Sequence, residues 1–196
     1  MYVEPQWRTA QYFVCPEWTG GIYASPTMSG SRPGALIAGC WATMMHLGRN
    51  GYVAAARRIL DAARIVADAI RASDAVTLFG EPNLSVVCFG PRGRDSPNIY
   101  HINDAMASRG WHLNVLQYPT CLHLCVTYAN ASRATDFASD LSASVAEVRA
   151  APPGRFKDGS SAVYGAAVSI PDKSMVADTA TYFLDALYVI PRGAAT

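Results

Sequence analysis

The sequence has few charged residues and very little lysine. Only 16% of its 196 residues are charged, and its formal net charge is +1, which argues against a disordered chain and against a polybasic arm that binds nucleic acid. No apolar stretch reaches the roughly 20 residues that cross a bilayer, and the N-terminus has no signal-peptide pattern, so we expect a soluble chain without a membrane segment. Among the sixteen basic residues only Lys157 and Lys173 are lysines. Chemistry that needs a lysine amine must use one of these two or obtain it from outside the chain.

Several catalytic signatures are also missing. The sequence has no G-x-S-x-G nucleophile motif, no P-loop and no dinucleotide-binding fingerprint. Its five cysteines are an odd number scattered through apolar stretches, which is typical of reduced, buried thiols. The length fits one domain or part of a larger protein.

Apolar periodicity and turn residues predict nine elements in the order helix, helix, strand, strand, helix, strand, strand, helix, helix. Their ranges are 35–47, 52–72, 75–79, 84–89, 99–109, 111–116, 122–128, 129–150 and 171–188. The hairpin-like spacing of the strands predicts an α+β fold, in which helices cover one side of an antiparallel or mixed sheet. The first helix is apolar almost all round, so we expect it to be buried on most sides. Residues 152–161 are predicted to be a flexible linker.

A loop rich in glycine, serine and proline, residues 20–34, directly precedes the first predicted helix. Backbone N–H groups converge in such loops, and the start of a helix adds partial positive charge. Gly30, Ser31 and Arg32 are therefore candidates to bind a phosphate or a carboxylate. An ordinary structural loop is the alternative interpretation.

A second candidate lies on the strand over residues 122–128 and just before it. Cys121, His123 and Cys125 alternate, so their side chains point to one face, where two thiols and an imidazole could begin a zinc site. The sequence offers only His112 as a nearby fourth ligand. A buried strand that is apolar on both faces explains the same pattern, and we expect no metal.

The residues of the loop and its surroundings also form a recognisable family pattern. Residues 12–60, with the run GGIYASPT-x-x-GSRPG, closely resemble the pyridoxal-phosphate-dependent sphingosine-1-phosphate lyases, which are related to the group II decarboxylases. The likeness covers nearly the whole chain and continues through FGEPNLSVVCFG, RGWHLNVLQYP, LHLCVTY and AVYGAAVSIPDKSMVADTATYFLDALY. The resemblance implies a type I aminotransferase-like fold. Residues 1–34 would end the large cofactor domain and carry its Gly/Ser loop, and residues 35–196 would form the C-terminal small domain.

The resemblance also implies a reaction, the retro-aldol cleavage of a phosphorylated sphingoid base to a long-chain aldehyde and phosphoethanolamine. Pyridoxal 5'-phosphate would be the cofactor, and the enzyme would be a homodimer whose active site is shared across subunits. Gly30 and Ser31 match the family's Gly-Ser pair that contacts the cofactor phosphate. Tyr23 matches a tyrosine near the substrate entrance, and Arg32 matches by position, with a structural role as its alternative.

Neither Lys157 nor Lys173 has the surroundings of the family's Schiff-base lysine. We therefore expect no catalytic residue in this chain, no activity of the chain alone, and an exposed apolar surface where the loop and first helix would face the large domain and a dimer partner. Full-length eukaryotic members are anchored in the endoplasmic reticulum membrane, and other members are cytoplasmic. Two alternatives stay open, an amino-acid decarboxylase relative and a non-catalytic module derived from a lyase that binds or dimerises.

Overall fold

The computed structural model describes residues 4–156 and 159–188 of the chain. The helices are α1 (Pro5–Thr9), α2 (Gly34–Ala72), α3 (Ile99–Ala107), α4 (Ala134–Ala150), α5 (Ser160–Ser169) and α6 (Lys173–Ala186), with a 3-10 turn over Ala131–Arg133. The strands are β1 (Phe13–Cys15), β2 (Tyr23–Ser25), β3 (Val76–Leu78), β4 (Val86–Pro91), β5 (Asn114–Leu116) and β6 (Cys121–Cys125).

Four of the strands form an antiparallel sheet in the order β3-β4-β6-β5. Successive residues of a strand point to opposite faces, and the inward residues of the two central strands are buried. Val87 and Phe89 on β4 lie beside Leu124 and Leu122 on β6. They form one core with the buried residues of α2, α3 and α4, so these helices lie on one face of the sheet. The α+β prediction, including all four predicted strands, is confirmed.

Helix α2 is kinked at Gly48, where φ is 57°. Glycine adopts this left-handed backbone readily because it has no Cβ. The break predicted between the helices over 35–47 and 52–72 is thus confirmed at Gly48, whereas Asn50 and Gly51, in the same predicted gap, are helical. All buried residues of α2 lie after the kink, between Ala62 and Ile70.

The helix segment before the kink, residues 34–47, corrects one prediction. It was expected to be buried on most sides, yet Ile37 is 73% exposed and Trp41 is 61% exposed. Apolar composition shows that a helix needs a cover, but it does not show where the cover comes from. The exposed surface agrees with the expectation that this segment faces a surface outside the described residues.

Four elements near the ends of the chain were not predicted, namely the short helix α1, strands β1 and β2, and helix α5. Strands β1 and β2 form a short antiparallel hairpin, and with three residues each they are too short to show a period. Helix α5 begins inside the predicted linker and consists mainly of small residues, so it has no clear apolar stripe. Lys157, also placed in that linker, lies outside the described residues. The hairpin packs against α6, and the domain boundary at residue 34 stays a prediction.

Asp185 on α6 joins the N-terminal segment to the C-terminal helix. Its carboxylate accepts hydrogen bonds from Arg8 Nε and Nη2 at 3.1 and 2.9 Å, from the Tyr12 hydroxyl at 3.0 Å and from Thr9 Oγ1 at 3.3 Å. The bonded Arg8 guanidinium is the main reason why the pKa of Asp185 is lowered. These contacts hold α1 and the start of the hairpin against α6.

We expect Asp185→Asn to lower the melting temperature at pH 7, because the variant loses the ion pair with Arg8. The folded-state pKa of Asp185 is lower than its unfolded value of about 3.9. Its stabilising contribution is therefore complete above pH 4 and is lost as the pH falls through the folded-state pKa. Thermal melts across this range should show the difference between variant and wild type shrinking toward acid. Asp178→Asn, at an exposed position of α6, is the control, and a difference that grows toward acid would contradict the assignment.

Candidate functional site

The loop that precedes α2 is exposed and carries its own cation. Gly30, Ser31 and Arg32 are all exposed, and Arg32 Nη1 donates hydrogen bonds to the carbonyl oxygens of Gly30 and Ser31 at 2.9 and 3.3 Å. The guanidinium is thereby held over the loop, next to the start of the helix. The structure thus brings the three predicted anion-binding residues together.

The end of the loop leaves helix N–H groups available for an anion. The N-cap residue of α2 is Pro33, whose side chain has no hydrogen-bonding group, and the first turn of a helix has N–H groups without intrahelical acceptors. No acidic residue lies in that first turn, so nothing there opposes the partial positive charge of the helix start. A Cβ added at Gly30 would meet no atom within 4 Å. The arrangement has the features expected of half of an anion site, and it is open on the side where another surface can close it.

Tyr23 lies on β2, which occupies part of the stretch 20–34 that was predicted to be a loop. Its ring makes edge-to-face contacts with Phe13 and Trp18, each with centroids 5.9 Å apart, and it is 45% exposed. Within the described residues no hydrogen bond or ring contact joins Tyr23 to Gly30, Ser31 or Arg32. The structure places Tyr23 in an aromatic group on the hairpin, separate from the anion-binding loop.

A close contact between the loop and α5 was not predicted. Gly21 is buried with φ of 113°, and a Cβ there would lie 3.0 Å from the Tyr164 hydroxyl oxygen. The Tyr164 ring lies 6.0 Å from that of Tyr100, whose hydroxyl donates to the carbonyl of Leu116 at 3.0 Å. The paired glycines 20 and 21 were the only signal in the sequence that a bulky group approaches the backbone here.

The candidate zinc ligands lie on the face of the sheet opposite the helices. Cys121 is buried, and Cys88 Sγ on the neighbouring strand lies 3.7 Å from its Sγ. Burial raises the pKa of Cys121 to about 12 and also raises that of Cys88, so both groups are protonated thiols at neutral pH. Cys125 is exposed, which corrects the expectation that β6 is buried on both faces. Across residues 4–156 and 159–188, no group of three or more His, Cys, Asp or Glu is placed to hold a metal ion.

Lys173, the lysine that the structure describes, binds to the end of the preceding helix α5. Lys173 Nζ donates to the carbonyl oxygens of Ala167 and Ile170 at 2.7 and 2.8 Å and lies 5.3 Å from the centroid of the Tyr118 ring. A cation at this position satisfies the free carbonyls at the end of α5. Lys173 is thereby a helix-capping residue.

In the part of the chain that the structure describes, no helix is both long enough and apolar enough to cross a membrane.

Comparisons with known proteins bear on the whole chain. No family model matches the sequence. Mouse sphingosine-1-phosphate lyase 1 is 39% identical over 190 residues, which cover 96% of this chain and 33% of the mouse protein. The rice lyase is 42% identical over 186 residues, covering 95% of this chain and 34% of the rice protein.

A solved structure extends the likeness to the fold. The sphingosine-1-phosphate lyase of Burkholderia pseudomallei is 40% identical, with a TM-score of 0.56 over 74% of this chain and 32% of that chain. Glutamate decarboxylase of Lactobacillus brevis gives the same TM-score at 18% identity, which is a likeness of fold alone. The chain spans about a third of the length of the relatives it matches, and over that span it is similar in sequence and fold to sphingosine-1-phosphate lyases.

Proposed function

We propose that this chain forms part of a sphingosine-1-phosphate lyase that cleaves phosphorylated sphingoid bases to a long-chain aldehyde and phosphoethanolamine, a step of sphingolipid breakdown. The observation that carries the proposal is the open anion-binding loop at the start of α2, in a chain 40% identical to a solved lyase of that name. The catalytic lysine would come from outside these 196 residues, because Lys173 is engaged as a helix cap.

The loop has the chemistry that a phosphate group requires. It offers backbone N–H groups, the Ser31 hydroxyl and the Arg32 guanidinium on a surface open to solvent. We assign Gly30 and Ser31 to the phosphate of pyridoxal 5'-phosphate, and Tyr23 and Arg32 to the substrate. When bound, the pyridine ring of this cofactor takes up the electron pair released by carbon–carbon cleavage. The part of this chain is to hold the phosphate and so fix the orientation of the ring.

A second subunit would supply the missing half of the anion site. The loop is open beyond Gly30, and residues 34–47 expose apolar side chains. An exposed apolar patch is typical of a surface that contacts another protein. A homodimer that shares its active sites would cover both features in one contact. For full-length eukaryotic members we propose the endoplasmic reticulum membrane as the location, and the cytoplasm for others.

The two other functions have less support. The decarboxylase neighbour is 18% identical, whereas the lyase neighbour is 40% identical over the same share of this chain. A non-catalytic module that only binds or dimerises would not need an unobstructed anion loop. Cofactor affinity therefore separates this module from the proposed lyase.

We expect Ser31→Ala, in the full-length lyase that we propose contains this chain, to weaken the affinity for pyridoxal 5'-phosphate about tenfold or more. The reason is that a hydrogen bond to a charged group contributes about 1.5–3 kcal/mol. Titration of the cofactor-free protein, followed by absorbance, gives the Kd, and aldehyde release from sphingosine-1-phosphate gives the activity. Ser29→Ala, two residues earlier in the exposed loop, is the matched control. Equal affinities of the two variants would remove Ser31 from the cofactor site, and a wild type that lacks both binding and cleavage would reject the proposed function.

A further inference from the structure

Gln117, at the end of β5, is a buried polar side chain with an unusual set of contacts. It is 1% exposed. Its Nε2 donates two hydrogen bonds, to the carbonyl oxygen of Pro16 at 2.7 Å and to that of Trp18 at 2.9 Å. Its backbone N–H donates to the carbonyl of Thr19 at 3.0 Å. Gln117, which directly follows β5, thus donates to three carbonyl oxygens of the connection between β1 and β2, about 100 positions earlier in the chain.

The two amide protons account for the orientation of this side chain. Oε1 of Gln117 is buried and accepts no hydrogen bond from the residues that the structure describes, which costs free energy in an apolar surrounding. The two donated bonds to the carbonyls of Pro16 and Trp18 compensate for this cost. Removing the donors would take from the Pro16 carbonyl its hydrogen bond with Gln117, whereas the Trp18 carbonyl would keep the bond that the Gly21 N–H donates at 3.0 Å.

The segment held in this way leads directly into the anion-binding loop. After Thr19 the chain passes through Gly21, which lies against Tyr164, and then forms β2. At the far end of the loop the first segment of α2 is exposed and contributes no buried residue to the core. The hairpin before the loop is held by α6 and by the contact of Gly21 with Tyr164, and Gln117 provides its hydrogen bonds to the end of β5.

We propose that Gln117 is a positioning residue, which places the hairpin so that Gly30 and Ser31 reach the cofactor phosphate. This inference rests on the proposed function and adds a residue that acts at a distance from the phosphate. Gln117 itself contacts neither the loop residues 30–32 nor the substrate in this proposal. Its action is transmitted through the connection from Pro16 to Gly21.

The first experiment uses hydrogen–deuterium exchange of the chain to measure how strongly the Gln117 hydrogen bonds hold the connection between β1 and β2. Gln117→Met keeps the length of the side chain and removes both donors, and Gln117→Glu keeps its shape and replaces the NH2 group by oxygen. Both should speed exchange of residues 13–25 about tenfold, as expected when two hydrogen bonds are lost locally, and leave β4 and β6 unchanged. Gln6→Met, at an exposed position of α1, is the matched control. Unchanged exchange in the hairpin would overturn the inference.

A measurement on the wild type covers the case in which both variants fail to fold. Nuclear magnetic resonance resolves the side-chain amide protons of glutamine. Those of Gln117 should exchange with solvent at least tenfold more slowly than those of the exposed Gln6, because they are buried and bonded. Equal exchange rates would show that the two bonds do not form, and would overturn the inference without any variant.

The second experiment separates positioning from mere structural support. In the full-length lyase, Gln117→Met should raise the Kd for pyridoxal 5'-phosphate about tenfold while kcat at saturating cofactor stays within twofold of the wild type. If the hairpin of the variant exchanges faster but its Kd for the cofactor equals that of the wild type, the positioning role is wrong. It is also wrong if only kcat falls while the Kd is unchanged. If the wild type itself does not bind the cofactor, the proposed function is wrong and this inference falls with it. A wild type that binds and a variant that binds equally well overturns the inference alone.

Discussion

No lyase turnover is expected from the 196-residue chain alone, even with excess pyridoxal 5'-phosphate. The chain spans about a third of the length of its relatives. The amine of Lys173 donates to two carbonyl oxygens at the end of α5 and so has a structural role. Among the described residues, no atom lies within 4 Å of a Cβ built on Gly30, so the loop is open on that side. Carbon–carbon cleavage requires a free catalytic amine and a closed cofactor site, and we expect the isolated chain to lack both.

The measurement is release of a long-chain aldehyde from sphingosine-1-phosphate, with the Burkholderia pseudomallei lyase as the positive control. We expect the signal of the isolated chain to equal that of a sample without protein. If aldehyde does appear, the double variant Lys157→Ala, Lys173→Ala decides its origin. Turnover that survives the double variant would reject the argument from the missing lysine, and turnover lost only with Lys173→Ala would assign that lysine a catalytic role.

Phe89→Ala is expected to reduce the free energy of unfolding by about 3–5 kcal/mol, the usual loss for a buried phenylalanine. Phe89 is fully buried on the central strand β4, and its ring meets that of Phe137 edge to face at 6.2 Å. Phe137 in turn contacts Trp111 at 5.2 Å. The substitution would leave a cavity between the sheet and α4. The expected loss is large because the total free energy of unfolding of a domain is only about 5–15 kcal/mol.

Urea unfolding followed by circular dichroism tests this expectation. The midpoint should fall while the slope stays constant, since the surface exposed on unfolding hardly changes. Leu84→Ala is the matched control, because Leu84 is 69% exposed and should change the free energy by less than about 0.5 kcal/mol. Similar losses in both variants would mean that the described core does not form around Phe89.

The sheet could be predicted from the sequence because its information is local. Alternating apolar residues and the compact turn over residues 80–83 mark β3 and β4, and the apolar stripe after Gly48 marks the helix that covers them. The loop before α2 could be recognised as a candidate anion site because its glycines and its cation are adjacent in the sequence, and its role stays a prediction.

The remaining features depend on contacts that the sequence pattern does not contain. Gln117 looks like an ordinary polar residue after a strand until Pro16 and Trp18 are placed beside it. Tyr164 becomes significant only because Gly21 lies against its hydroxyl. The apolar helix before Gly48 was expected to be buried, because hydrophobicity shows the need for a partner and not its identity.

Because α2 is kinked at Gly48, residues 34–47 can rotate about this glycine as one rigid helical segment. At 1.5 Å per residue, residues 34–47 extend about 20 Å from the pivot to the loop that they carry. A rotation of about 6° at one glycine would therefore displace the far end by about 2 Å, more than the tolerance of roughly 0.5 Å that a preorganised site allows. The backbone angles of Gly48 thus determine the position of the loop at the start of α2, although Gly48 does not contact that loop.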